Sequence, residues 1–211
     1  MTHPTTLLRI DTSSRSTASV SRRVGDVLEQ ALSQRWPQAQ WLRRDLASHP
    51  VEHLGLDTIT GYFTPPDQLT PPLLAATATS DAVIAEVRRA EVLLITMPMY
   101  NFGLPSVLKA WIDQLVRIHQ TVAFDGQQFT GLLTGKRAYV VVACGAGGYG
   151  PGGALAAGDF VQPYLRFVLG FLGITAVQFI PVEATNTDPA GLAATLAQMP
   201  ATVAALLDNE A

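Results

Sequence analysis

The sequence predicts an α/β domain built on an open, doubly wound parallel sheet of five strands with helices on both faces. The first observation behind this prediction is that short apolar runs alternate with segments whose apolar residues recur at helical spacing. The second is that these runs are apolar at consecutive positions, as in strands that helices cover on both sides. The chain also lacks repeats, low-complexity linkers and compositional breaks, so residues 1–211 are predicted to form one domain.

Each predicted element is supported by its own pattern of apolar residues. Strands are short runs of consecutive apolar residues, and helices carry apolar residues three or four positions apart. In chain order the elements are a strand at 7–10, a helix at 20–32, a weaker strand at 41–42, a helix marked by 83–87, a strand at 92–95, a helix at 105–115, a strand at 138–143, a helix at 160–172, a strand at 174–182 and a helix at 192–207.

Prolines set two further expectations. The pairs Pro65-Pro66 and Pro71-Pro72 interrupt the segment 47–79, which we expect to be an ordered but irregular excursion or lid. Pro200 should kink or break the last helix, because proline cannot donate a helical hydrogen bond.

Composition excludes several classes of protein. Only 15% of residues are charged, against about 25% in typical soluble domains, and lysines and arginines cluster no further than in pairs. A partner such as nucleic acid is therefore not expected. The uncharged run 138–158 is too rich in glycine to span a membrane, and 189–207 is interrupted by polar residues and Pro200. With no signal peptide visible at the N-terminus, a cytoplasmic protein is expected.

Three unusual segments follow predicted strands, at the sheet edge where open α/β folds bind ligands. The hydroxyl-rich loop (13–21) leads into a helix, and hydroxyls beside a helix N-terminus suit a phosphate group. Helix capping is the simpler alternative for these serines. The loop contains neither GxxxxGK[ST] nor GxGxxG, so a nucleoside-triphosphatase loop and a standard dinucleotide fold are disfavoured.

The other two segments differ in chemistry. The aromatic loop (98–106) combines Met, Tyr and Phe with Pro, Asn and Gly, which suits a wall around a flat ligand or a hydrophobic cap on the next helix. In the glycine-rich loop (144–153) the backbone can approach a ligand closely. Cys144, the single cysteine, excludes an internal disulfide, and it suits a small filler at a strand end better than a nucleophile. The histidines lack ligand-like spacing, so no metal site is expected.

These loops resemble those of a known enzyme family. Met97-Pro98-Met99-Tyr100-Asn101-Phe102-Gly103-Leu104-Pro105, with the helix that continues to Asp113, closely resembles the flavin loop of FMN-dependent NADH-azoreductases, which also act as NADH:quinone oxidoreductases. Further similar segments are 18–22, 131–136, 163–165 and 169–174. The resemblance covers almost the whole chain and implies the flavodoxin-like fold.

The resemblance also implies which residues bind FMN. The phosphate and ribityl chain of FMN would contact Ser14, Ser19, Val20 and Ser21. The isoalloxazine ring would be bordered by Pro98, Met99, Tyr100, Asn101 and Phe102. Its pyrimidine end would be wrapped by Cys144, Gly145, Ala146, Gly147 and Gly148. Family members usually begin the third segment with Ser or Thr before Arg-Gly-Gly or Gly-Gly-Gly, and Cys144-Gly145-Ala146 departs from that pattern.

The activity implied by the resemblance is a two-electron reduction of quinones, and of azo compounds to amines, with NADH or NADPH as donor in a ping-pong cycle. Because FMN carries the hydride chemistry at N5, no catalytic side chain is expected. Tyr149, Phe124 and Phe167 are the candidate substrate-binding residues. The alternative is surface exposure for Tyr149, and core packing for at least one of Phe124 and Phe167. The family resemblance further implies a homodimer with active sites at the interface. A flavodoxin-type electron carrier and an FMN-binding sensor without turnover are the alternative functions.

Overall fold

The structure, a computed structural model, describes residues 6–209 and contains a five-stranded parallel sheet with helices on both faces, as the sequence predicts. The remaining residues of the predicted domain, including the N-terminal stretch, lie outside the described part. The strands of this sheet are β1 (Thr6–Asp11), β2 (Gln40–Asp45), β3 (Val92–Pro98), β6 (Arg137–Ala143) and β7 (Ala176–Val182). Their order is β2-β1-β3-β6-β7, and every pairing in this sheet is parallel.

Helices cover each face of the sheet because the strands are apolar on both sides. On one face a core cluster joins the sheet to α1 (Val20–Arg35) and α6 (Pro189–Asp208), through residues such as Leu28 and Val203. On the other face a second cluster joins the sheet to α3 (Pro71–Arg89), α4 (Ser106–Leu115) and α5 (Gln162–Phe171). Ile84, Trp111 and Leu169 are examples of its helix residues.

The segment 47–79 is not the irregular excursion that its prolines predict. It contains α2 (Leu56–Phe63), a short 3-10 helix at Pro66–Gln68 and the first turns of α3. Pro71 and Pro72 occupy the first turn of α3, where the backbone N–H would have no partner inside the helix, so proline costs little there. Likewise α6 runs through Pro200 as one helix instead of breaking at it.

A two-stranded antiparallel hairpin, β4 (Val122–Phe124) with β5 (Phe129–Gly131), lies between α4 and β6 and was not predicted from the sequence. Its turn contains Asp125-Gly126, and the Asp125 carboxylate accepts hydrogen bonds from the amides of Gln127 and Gln128. Gly131 packs directly on the backbone of Gly173, where a Cβ atom would lie 2.2 Å from the Gly173 nitrogen. The hairpin is therefore joined closely to the end of α5.

Among residues 6–209, helix α6 alone is long and apolar enough to cross a membrane, by length and composition. Its inward residues Met199, Val203 and Leu207 are buried in the core cluster that also contains Leu28 and Leu32 of α1. That packing is the arrangement of a helix covering one face of the sheet.

Candidate functional site

The hydroxyl-rich, aromatic and glycine-rich loops meet at the carboxyl edge of the sheet. They follow β1, β3 and β6, and the strand order reverses between β1 and β3, which is where open α/β sheets form a ligand crevice. A cleft of about 380 Å³ opens at this point. It is lined by Ser13, Arg15, Ala18, Ser19, Val20, Ser21, Arg23, Pro98, Met99, Tyr100, Ala143, Gly145, Thr185, Asn186 and Leu192.

One end of the cleft is built for an anion. Ser19 is the N-cap of α1, and its hydroxyl accepts from the Arg22 amide and bonds the Ser21 hydroxyl at 3.1 Å. Among residues 6–209 the N–H groups of Val20 and Ser21 have no hydrogen-bond partner. The first turn of α1 contains no acidic residue, so the positive end of the helix is not neutralised.

Two cationic side chains reinforce this end. Arg15 and Arg23 both line the cleft, and neither guanidinium forms an ion pair within the described part of the chain. Hydroxyls, unpaired amides and free guanidinium groups together make an environment suited to a phosphate group.

The aromatic loop turns sharply at Asn101 and Phe102, whose φ angles are 48° and 67°. The flanking residues Tyr100 and Gly103 exchange two backbone hydrogen bonds, which is the pattern of a tight turn with both central residues left-handed. Asparagine tolerates that conformation, whereas phenylalanine is strained in it. The turn leaves the N–H groups of Asn101 and Phe102 unpaired within residues 6–209.

A side-chain hydrogen bond connects the aromatic loop to the hydroxyl-rich loop. The hydroxyls of Tyr100 and Ser14 lie 2.9 Å apart. Ser14 therefore contacts a loop that borders the cleft, although it does not line the cleft itself.

The glycine-rich loop presents backbone amides. The N–H groups of Gly145, Ala146 and Gly147 are unpaired in the described part of the chain, whereas those of Gly148 and Tyr149 donate to the Glu183 carboxylate at 2.6 and 3.3 Å. Glu183, in the segment after β7, therefore holds the glycine-rich loop in place through these hydrogen bonds.

Cys144 differs from its neighbours because its side chain points into the core. Burial raises the pKa of the thiol to about 12, so it stays protonated near neutral pH. The Cys144 amide donates to the Val182 carbonyl, and its own carbonyl accepts from Thr185. Its backbone groups are thus used in holding the loop, and its side chain fills space.

The candidate substrate-binding residues lie in two different places. Tyr149 packs beside Phe102, with ring centroids 6.5 Å apart, and neither of these two side chains lines the cleft itself. Phe124 and Phe167 do not line the cleft of this chain. They are exposed members of an aromatic stripe that runs from the hairpin to α5. The stripe consists of Phe124, Phe129, Phe171 and Phe167, with successive ring centroids 4.6, 5.5 and 6.3 Å apart.

Sequence reasoning missed the contribution of the segment after β7. Thr185, Asn186 and Leu192 line the cleft, and Glu183 caps the glycine-rich loop. The position of Glu183, Thr185 and Asn186 directly after the fifth predicted strand was the available signal, because the carboxyl ends of parallel strands share one edge. Within residues 6–209 no group of three or more His, Cys, Asp or Glu side chains could hold a metal ion.

The chain is similar to known proteins over most of its length. The family model described as flavodoxin-like fold matches residues 5–207. The chain is 57% identical to an FMN-dependent NADH:quinone oxidoreductase of Xanthobacter autotrophicus, over 82% of this chain and 83% of that protein. The chain belongs to this oxidoreductase family. A second family member, FMN-dependent NADH:quinone oxidoreductase 1 of Hahella chejuensis, is 39% identical over 92% of this chain and 93% of its own length.

Solved structures share the fold of this family member. An azoreductase from Bacillus anthracis superposes with a TM-score of 0.87 at 22% identity, over 96% of this chain and 98% of that one. An FMN-dependent NADH-azoreductase of Bacillus anthracis, in complex with FMN, superposes with a TM-score of 0.83 at 20% identity, over 95% and 99% of the two chains. The predicted flavodoxin-like fold and the resemblance to the azoreductase and quinone oxidoreductase family are both confirmed.

The groups around the cleft fit FMN, the cofactor of this family, in charge and in chemistry. The anion-binding end would hold a phosphate. The unpaired amides of Asn101, Phe102 and Gly145 to Gly147 would face the polar edge of a flat ring. The residues assigned to FMN from the family resemblance remain predictions at the level of individual contacts.

Proposed function

We propose that this chain binds FMN in the cleft and uses NADH or NADPH to reduce quinones by two electrons and azo compounds to amines, in a ping-pong cycle. The observation that carries the proposal is the convergence of an anion-binding helix start with two loops whose amides are unpaired. The names of the relatives support the quinone activity, and those of the structural neighbours support the azo activity.

The protein's part in this chemistry is to bind and orient. Ser19, Ser21 and the first amides of α1 hold the phosphate, with Arg15 and Arg23 adding positive charge at the rim. When bound, FMN supplies hydride transfer, so no side chain is required as a general base. The Asn101 and Phe102 amides orient one edge of the ring, and the amides of the glycine-rich loop orient its pyrimidine end.

Aromatic side chains supply the substrate surface. Phe102 and Tyr149 pack together on two loops whose neighbouring residues Tyr100 and Gly145 line the cleft, and they would exclude water there and favour flat acceptors. A shared, open face would accept first the reduced nicotinamide and then, after it leaves, the quinone or azo compound.

The aromatic stripe supports a homodimer. Phe129 and Phe167 are 55% and 73% exposed in the single chain. A contiguous group of large, exposed apolar side chains usually marks a protein–protein interface. A second copy covering the stripe would bring Phe124 and Phe167 toward the partner's cleft, in the substrate-binding role proposed for them.

Phe129→Glu, in the middle of the stripe, should convert the dimer to a monomer in sedimentation analysis. Phe63→Glu, which places the same charge at an exposed phenylalanine of α2, is the matched control.

The activity is tested with purified protein reconstituted with FMN. The visible spectrum should show retained flavin, and NADH or NADPH should be consumed with a quinone and with an azo dye, at two equivalents of nucleotide for each azo bond. Double-reciprocal plots should be parallel, since intersecting lines would contradict a ping-pong cycle. Turnover only in the presence of a separate reductase would indicate an electron carrier, and flavin binding without turnover would indicate a sensor. We also propose a cytoplasmic location, which is tested by separating cells that express the protein into soluble and membrane fractions and measuring how the protein divides between them.

A further inference from the structure

A cluster of charged side chains lies beneath the anion-binding end of the cleft. At its centre is Arg22 in the first turn of α1, whose side chain is 14% exposed. Its two terminal nitrogens donate to the Asp45 carboxylate at 2.9 and 2.8 Å, and one also donates to the Ser13 carbonyl at 2.9 Å. Arg22 therefore joins the end of β2 to the hydroxyl-rich loop.

The cluster extends to the other strands at the crevice. Asp11, at the end of β1, lies 3.6 Å from the Arg22 guanidinium. Its carboxylate accepts from the Thr96 hydroxyl of β3 at 2.6 Å and from the buried Arg9 at 3.0 Å. The ends of three adjacent strands are thus tied to the same turn of α1.

The position of Arg22 is electrostatically unusual. A cation in the first turn of a helix is disfavoured by the helix dipole, and here two carboxylates compensate for it. Arg22 does not line the cleft, whereas its neighbours Ser21 and Arg23 do. Its charge is directed at Asp45 and Ser13 instead of at the ligand space.

We propose that Arg22 is a positioning residue for phosphate recognition. By donating to both the Ser13 carbonyl and the Asp45 carboxylate, it fixes the hydroxyl-rich loop so that Ser19, Ser21 and the first amides of α1 are arranged before the phosphate arrives. Pre-organisation of this kind improves affinity because less conformational freedom is lost on binding. This inference rests on the proposed FMN site.

Flavins with and without a phosphate separate this role from general stabilisation. Dissociation constants of the apoprotein for FMN and for riboflavin are measured by quenching of flavin fluorescence. In Arg22→Gln we expect FMN binding to weaken about tenfold or more, with riboflavin binding changed less than about threefold. Arg22→Lys should be intermediate, because lysine keeps the charge and loses the paired geometry.

Arg44→Gln is the matched control. Arg44 precedes Asp45 on β2 and forms its own paired contact with Glu86, at 2.7 and 2.5 Å, away from the cleft. Its loss should lower thermal stability by a similar amount and leave the ratio of FMN to riboflavin affinity unchanged.

Asp45→Asn distinguishes positioning from direct contact. If Arg22 acts by positioning, Asp45→Asn should weaken FMN selectively, in the same direction as Arg22→Gln. Tighter FMN binding in Asp45→Asn would show a phosphate ligand freed from its partner and would overturn the proposal. An unchanged affinity ratio in Arg22→Gln and Arg22→Lys would overturn it as well. Wild-type protein without preference for FMN over riboflavin would instead refute the proposed cofactor site, and the inference with it.

Discussion

The hydroxyl-rich loop and the glycine-rich loop lie at the same edge of the sheet, but different interactions hold them in place. Charged side chains hold the first, through Arg22, Asp45 and the Ser13 carbonyl. Hydrogen bonds to its own backbone hold the second, because the carbonyls of Gly145 and Ala146 accept from the segment after β7, and the amides of Gly148 and Tyr149 donate to the Glu183 carboxylate. Recognition of the phosphate should therefore respond to changes of charge, whereas recognition of the ring should respond to backbone geometry and tolerate changes of side chain within the glycine-rich loop.

The largest expected effect comes from deforming the glycine-rich loop. A Cβ atom at Gly153 would lie 2.2 Å from the Gly148 carbonyl oxygen, so Gly153→Ala must displace the backbone. We expect FMN and riboflavin affinity to fall together by about 100-fold, or about 2.7 kcal/mol. Flavin fluorescence titration measures both. Gly150→Ala is the control, because nothing lies within 4 Å of its Cβ position. Equal losses in the two variants would refute a role for local backbone geometry.

A charge reversal at the rim tests the phosphate end. Arg23→Glu should weaken FMN binding about tenfold at low ionic strength, and the loss should shrink in concentrated salt because the guanidinium is exposed. Riboflavin binding should be nearly unaffected. A loss that is the same for both flavins, or independent of salt, would contradict an electrostatic contribution to phosphate binding.

The charged cluster also predicts a dependence of stability on pH. The Arg22 guanidinium lowers the pKa of Asp45 to about 2, so the folded state favours the ionised carboxylate. This stabilisation is present above the usual pKa of aspartate and is lost as the pH falls through about 2. For a partly exposed side chain we expect about 1 kcal/mol.

Urea unfolding of wild type and Asp45→Asn at several pH values between 6 and 2 measures this term. The wild type should be more stable than the variant at pH 6, and the two should converge toward pH 2. A difference in unfolding free energy that stays constant over this range would show that Asp45 stabilises the fold by some means other than its charge.

The smallest effect is expected at Cys144. Because burial raises the pKa of its thiol to about 12, the thiol stays protonated at pH 8. Native protein should resist alkylation that proceeds readily after unfolding. Cys144→Ser should keep flavin affinity and turnover within a few-fold, since the backbone groups of residue 144 are used in the sheet and loop. A loss of about 100-fold would show that the thiol takes part in function.

Local sequence patterns were sufficient to predict the five strands of the sheet and the edge at which the cleft forms. Consecutive apolar residues define buried strands, and in parallel sheets the carboxyl ends converge. Local patterns did not reveal the helices within 47–79, because Thr and Ala weaken the apolar periodicity there and the prolines sit in first turns. Nor could they reveal that Arg22 meets Asp45, or that Glu183 meets Gly148, since these pairs form only when distant strands are neighbours.

The reversal of strand order at the crevice has a consequence for how the protein folds. Leu7 pairs with Val92, and Arg137 with Ala176, so the cleft needs parallel pairings between segments far apart in the chain. Such pairings form slowly compared with local helices, because the chain loses the conformational entropy of a long loop before the stabilising strand contacts form. During refolding from denaturant, helical circular dichroism should therefore recover before flavin fluorescence is quenched. A cofactor that binds at this edge therefore stabilises only chains whose sheet has already formed, and its binding marks a late stage of folding.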